Sequence, residues 1–170
     1  MLQRRTVLIA GLAAATPAYA TTAVPLPPSL DELSSLPLQT FGGEDTTLGQ
    51  HLGPGPAVIS FWASWCAPCV EEAMHLSTVR HRYDEARLNI IGLNVELIAA
   101  NDEGVRRFLD RTRPTYKQLR ADMSTYQAFG GAAQLNLPRL FVFDATGRPT
   151  AAFGAFDAPA VNRAIAQVVS

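Results

Sequence analysis

Cys66 and Cys69 are the only cysteines among 170 residues, and they stand in Trp65-Cys66-Ala67-Pro68-Cys69, directly after the apolar run Ala57-Val58-Ile59-Ser60-Phe61-Trp62. A Cys-x-x-Cys pair where a strand turns into a helix puts the first sulfur at the helix N-terminus. There, orphan N–H groups and the positive end of the dipole favour the thiolate. Such an arrangement serves thiol–disulfide exchange. A structural staple is a poor alternative, because a bridge closing a four-residue loop gains about 2 kcal/mol of chain entropy, against roughly 3 for a 15-residue loop. A zinc site needs four ligands at workable spacing, and no second Cys-x-x-Cys supplies them. Two inert buried thiols fit badly with Pro68 between them, since proline at a first turn marks the start of a helix.

Glu72 stands three positions after Cys69 and therefore shares a helix face with it. A carboxyl there can exchange a proton with that thiol; the alternative is a solvated charge beside Glu71, and spacing alone leaves the two even. Trp62 and Trp65 flank the first cysteine. Trp62 is expected in the core and Trp65 on an apolar rim facing a partner, with simple packing as the alternative for both. His75 and His81 fall on the helix after the motif and read as surface residues.

These groups need a scaffold. A buried strand ends at Trp62, and a helix is expected over about 68–83, with Ala73, Leu76, Val79 and Tyr83 on one face. Residues 88–95 read as a second central strand. A helix over 102–111 has Val105, Phe108 and Leu109 apolar and Asp102-Glu103 at its favourable end. A strand near 116–119, a short helix over 124–129 and a strand over 139–143 follow. Asp144-Ala145-Thr146-Gly147 then turns the chain into a returning strand over 149–153, and Asp157 caps a last helix running to about 169. Upstream, residues 38–41 suit a short strand, Gly42-Gly43 a turn, and residues 47–52 a short helix closed by Gly53-Pro54-Gly55-Pro56.

Residues 21–37 hold Pro25, Pro27, Pro28 and Pro37 and read as a Pro-rich extended leader outside the core. Residues 1–20 read as an export signal: Arg4-Arg5, an uncharged stretch over 7–15, and the exit Ala18-Tyr19-Ala20 with cleavage after Ala20. The apolar stretch is shorter than the ~20 residues that span a bilayer. The expected location is therefore periplasmic, with anchoring to the inner membrane by an uncleaved N-terminus as the alternative. Gln3-Arg4-Arg5-Thr6-Val7-Leu8 also partly resembles a twin-arginine signal. Cleavage removes two arginines and leaves 12 basic against 15 acidic residues, a net charge of −3, which argues against nucleic acid as a partner. Residues 38–170 suit one domain.

The order of elements predicts a mixed α/β sheet with helices on both faces. The chain resembles the thioredoxin-fold exported oxidoreductases of the TlpA/ResA type. The resemblance rests on Phe61-Trp62-Ala63-Ser64-Trp65-Cys66-Ala67-Pro68-Cys69, on Leu137-Pro138 with Phe141-Val142-Phe143-Asp144-Ala145-Thr146-Gly147-Arg148, and on two further runs. Those are Gly92-Leu93-Asn94-Val95 and Val105-Arg106-Arg107-Phe108-Leu109, which match the strand and helix inserted in that group. It implies a thioredoxin-like three-layer fold, Cys66 as exposed nucleophile, Cys69 as buried resolving thiol, and Glu72 as proton carrier in place of the buried Asp of plain thioredoxins, whose position is here Ser60. It also implies Pro138 in the cis form, with the Leu137 backbone free to pair with an extended partner beside Trp65 and Pro68. Arg139 departs from the usual Thr, and the loop over 130–136 is longer than common. No metal or organic cofactor is implied. The expected activity is reduction of disulfides in exported partner proteins, apocytochrome c or copper-delivery proteins among them, with electrons from a membrane-embedded donor. An oxidant or isomerase of the same fold and a non-enzymatic binding module are the alternatives. A peroxidase is disfavoured because Ala63 stands where a peroxidatic cysteine is preceded by Thr.

Overall fold

A strand whose residues are all buried is covered on both faces, and three strands meet that condition: Ala57–Trp62, Asn89–Asn94 and Arg139–Phe143. In this computed structural model, which describes residues 24–96 and 102–170, they form the centre of one seven-stranded sheet. In chain order the elements are α1 (Leu30–Leu33), β1 (Pro37–Gln39), β2 (Asp45–Thr47), β3 (Ala57–Trp62), α2 (Ala67–Arg82), β4 (Asn89–Asn94) and α3 (Asp102–Thr112). They continue with β5 (Lys117–Arg120), α4 (Met123–Ala128), β6 (Arg139–Phe143), β7 (Pro149–Phe153) and α5 (Ala158–Val168). The strand order is β2-β1-β5-β4-β3-β6-β7, parallel through β3, β4 and β5 and antiparallel at both margins.

Alternation along β3 divides the core. Ala57, Ile59 and Phe61 face α1 and α4, where Phe61 meets Tyr126 and Phe129 edge-on, with ring centroids 5.4 and 5.0 Å apart. Val58 faces Leu76 and Val79 of α2 and Val161 and Ile165 of α5. Trp62, farther along that face, stacks on Phe108 of α3 at 4.1 Å and 13°. Helices thus cover both faces of a mixed sheet, as the order of elements requires.

Two segments differ from expectation. The leader read over 21–37 does not stay outside the core: Ser29-x-x-Glu32 is a capping box, with Glu32 N–H donating to Ser29 Oγ at 3.4 Å and Ser29 N–H to Glu32 Oε1 at 3.2 Å. It starts the single turn of α1, whose Leu30 and Leu33 are buried, and Leu30 N–H donates to the Gly147 carbonyl at 2.8 Å. The short helix read over 47–52 narrows to a 3₁₀ helix over Gly49–His51, and Thr47 before it ends the strand β2, which pairs with β1. Thr46 and Thr47 suit a pleated edge better than a helix. The export signal over 1–20 and the first residues of the leader lie outside the described residues. No helix among the described residues is long and apolar enough to cross a membrane.

Candidate active site

Cys66 is the N-cap of α2 in extended conformation, with Ala67 and Pro68 opening the helix, so its sulfur sits at the positive end of the dipole as the motif requires. Cys66 and Cys69 are joined in a disulfide, their Cα atoms 5.3 Å apart. Cys66 was expected to be exposed; it is only 4% exposed, and Cys69 1%. In the closed pair both pack in a cluster with Trp62, Ala63, Ala73, Val105 and Phe108. Trp65 is 59% exposed. Beside it opens a cleft of about 770 Å³ lined by Ser64, Trp65, Val70, Arg107, Phe108 and Arg111.

Glu72 is 2% exposed, which rules out the solvated-charge reading. It points to the sheet, where Ser60 Oγ donates to its Oε1. Burial raises the carboxyl to about 7, against a smaller downward pull from the Ser60 hydrogen bond. Burial, and secondly the neighbouring Glu72 charge, push the Tyr116 phenol upward too. Ser60, Gly92 and Gln118 are paired side by side across β3, β4 and β5, so the face beneath α2 carries a polar row. Gln118 Oε1 accepts from the Trp62 indole N–H at 2.9 Å.

The turn before Cys66 is held from the end of β4. Ser64 N–H and Oγ donate to the two carboxylate oxygens of Glu96 at 2.6 and 2.8 Å, and Asn94 Nδ2 donates to Glu96 at 3.0 Å. Charge-assisted bonds to a backbone N–H are among the stronger ones. Leu137-Pro138 is cis, and Leu137 packs partly buried against the cluster around the two sulfurs. His75 is half-buried rather than on the open surface, with Nε2 3.0 Å from Asn162 Oδ1 and its ring 5.4 Å from that of Phe156.

The resemblance assigns Ser60 no role, and the sequence alone does not point to Glu96, Tyr116 or Gln118. A signal existed for the first: a lone hydroxyl in a six-residue apolar strand needs a buried partner. The row also explains Gly92. A Cβ there would lie 2.3 Å from Gln118 Oε1 and 2.7 Å from its Nε2. Gly92→Ala should therefore displace Gln118, break its bond to Trp62 and cost about 1–3 kcal/mol in denaturant unfolding, with most of that loss recovered in the double variant Gly92→Ala/Gln118→Ala. A single variant as stable as the parent would show that the row is not crowded.

A model of the AhpC/TSA family matches residues 31–157. The thioredoxin-like protein YneN of Bacillus subtilis (strain 168) is 29% identical over 73 residues, 43% of this chain and 42% of that protein, so the match spans less than half of the relative's length. Among solved structures, MTB DsbF in its mixed oxidized and reduced forms has a TM-score of 0.65 at 24% identity, covering 80% of this chain and 96% of that one. A secreted Mycobacterium tuberculosis disulfide oxidoreductase homologous to E. coli DsbE gives 0.65 at 22%, covering 81% and 98%. A thioredoxin-like protein from Aeropyrum pernix gives 0.65 at 19%, covering 82% and 92%. The fold is thioredoxin-like.

Proposed function

The chain belongs to the AhpC/TSA family, and from that premise we propose that it is an exported thiol–disulfide oxidoreductase working as a dithiol reductant of protein disulfides. One observation carries the reading: the only two cysteines close on each other at the N-terminus of α2, with a buried carboxyl, Glu72, one turn farther along the same helix.

In the reduced protein the Cys66 thiolate attacks one sulfur of a partner disulfide. A Cys66–partner bond forms, the partner S–S bond breaks, and the departing sulfur leaves as thiolate and takes a proton from water. Cys69 then attacks the Cys66 sulfur, which closes the Cys66–Cys69 bond and releases the second partner sulfur. Two electrons have passed to the partner. The proton on Cys69 needs an internal acceptor, because a side chain this buried has little contact with bulk water. Glu72, raised to about 7, is poised to take it near neutral pH. The partner strand pairs along the Leu137 backbone at Pro138 and lies against Trp65 and Pro68. Its apolar contact is the exposed Trp65 rim.

Export rests on residues 1–20, and the reducing direction on the TlpA/ResA-type motifs. Apocytochrome c and copper-delivery proteins are the proposed partner classes, and a membrane-embedded dithiol donor restores the pair. Acid quenching and alkylation of growing cells should find a substantial reduced fraction of Cys66-Cys69. The purified protein, equilibrated with dithiothreitol or glutathione, should have a potential closer to about −270 mV, as in thioredoxin, than to the −120 mV of strong oxidants. A pair wholly oxidised in cells, with a potential near the oxidant value, would reassign the protein as an oxidant. A non-enzymatic binding module would turn over no disulfide at all.

A further inference from the structure

Arg139 opens β6 directly after Pro138 and is 6% exposed. It faces the α4 side of the sheet, with its guanidinium over the rings of Tyr126 and Phe141, 5.4 and 5.5 Å from their centroids. Nη1 donates to the Gly130 carbonyl at 3.0 Å, whereas Nε is buried without a hydrogen-bond partner. Two ring faces and one carbonyl ease the burial of a cation but bring no negative charge to it. Buried charges are ordinarily paired. Among the described residues the ion pairs engage Arg107, Arg120 and Arg148, and none reaches Arg139.

A cavity of about 180 Å³ opens beside this cation, lined by Arg139, Tyr126, Gly130, Asn136 and Pro25 among others. Its wall is fixed to the loop that leads into Pro138. The Tyr126 hydroxyl donates to the Asn136 carbonyl at 3.1 Å and accepts from the Asn136 N–H at 3.0 Å. An unpaired cation and a cavity with room for one side-chain head therefore meet next to the backbone edge at Leu137.

We propose that this cavity receives a carboxylate side chain of the docked partner, so that Arg139 selects disulfides with an Asp or Glu close to the exchanged cysteine. A carboxylate supplies the missing charge. The partner is favoured as its source because the cavity adjoins the edge where the partner strand is proposed to pair. The inference thus rests on that reading of Leu137.

The test uses the full reduced protein and symmetric disulfide dimers of short peptides, identical except for Glu or Gln at one of the three positions on either side of the cysteine. At one position the Glu peptide should be reduced about tenfold faster than its Gln counterpart, the factor that 1.4 kcal/mol represents. That ratio should fall to near one in Arg139→Gln; taken within each protein, it cancels any general change in folding or sulfur reactivity. Excess acetate should slow the Glu peptide selectively in the parent protein, an arm that needs no variant. Equal rates for Glu and Gln at every position overturn the proposal, acetate binding without a peptide preference reassigns the cavity to free anions and overturns it, and a preference that survives in Arg139→Gln overturns the assignment to Arg139. If no peptide is reduced, the proposed function fails first. Glu-over-Gln affinity of unreactive Cys→Ser peptides, measured by calorimetry, then still decides the cavity.

Discussion

A Cys69→Ser variant produced in its native host should accumulate its partner as a covalent adduct on Cys66, whereas Cys66→Ser should accumulate none. The asymmetry follows from position. Cys66 caps α2 at the rim, while Cys69 lies a turn inside and is the more buried of the two. A well-placed intramolecular nucleophile has an effective concentration of at least about 10⁵ M, far above any free thiol, so removing Cys69 should slow release of the partner by on the order of 10³-fold or more. The adducts, separated without reductant and identified by mass spectrometry, would name the partners directly. Adducts on Cys69 in the Cys66→Ser protein, or none in either, would reverse or abolish the division of labour between the two sulfurs.

Glu72→Gln should make the protein more stable at pH 8 and a poorer catalyst. In the folded state the carboxyl is raised to about 7 from its ordinary value of 4.5, chiefly by burial. The folded protein therefore holds this proton more tightly than the unfolded chain. The stability it contributes is fully present below about pH 4.5 and is lost as pH rises through about 7. With 1.36 kcal/mol per unit, the loss across that window is about 3 kcal/mol. Glutamine keeps the shape and an acceptor for Ser60 but has no charge to bury, so its stability should not fall across the window, and at pH 8 it should exceed the parent by on the order of 2 kcal/mol. Exchange should slow by about 10²-fold, the lower end of what positioned general bases contribute, and the inflection near pH 7 should vanish from its rate profile. Denaturant unfolding of both oxidised proteins at pH 4 and pH 8 gives the stability difference. Parallel stability curves would mean that Glu72 binds its proton equally well in the folded and unfolded chain and is not tuned for this role.

The parts of this molecule that were readable in advance are those where one local rule dominates. Hydrophobic runs bounded by turn residues marked β3 and the hairpin of β6 and β7, and the Cys-x-x-Cys with its proline marked the start of α2. Asp157 marked the last helix, where its side chain accepts from Ala160 N–H at 3.0 Å. What stayed hidden depends on strands distant in sequence. Ser60, Gly92 and Gln118 become neighbours only when β3, β4 and β5 pair in one register, and register is a tertiary fact. Glu96 reaches back over 32 residues to hold Ser64. In the leader two local signals conflicted: proline density argued for extension, while the four residues of the capping box decided the outcome once Leu30 and Leu33 had a core to enter. Cys66 departs from the exposed nucleophile that the resemblance implies because, in the closed pair, it packs against Trp62 and Ala63.

The space above Gly92 has a consequence across lineages. Its missing side chain is the room that Gln118 occupies, and Gln118 in turn holds the indole of Trp62. Positions 92 and 118 should therefore covary. In descendants of a common ancestor, a side chain at the first should travel with a shortened residue at the second, and tryptophan at position 62 should then lose its fixed acceptor or find another. Such double exchanges should be reached through the smaller residue first, because shortening Gln118 leaves a gap that Gly92 tolerates, while enlarging Gly92 first forces two groups into one volume.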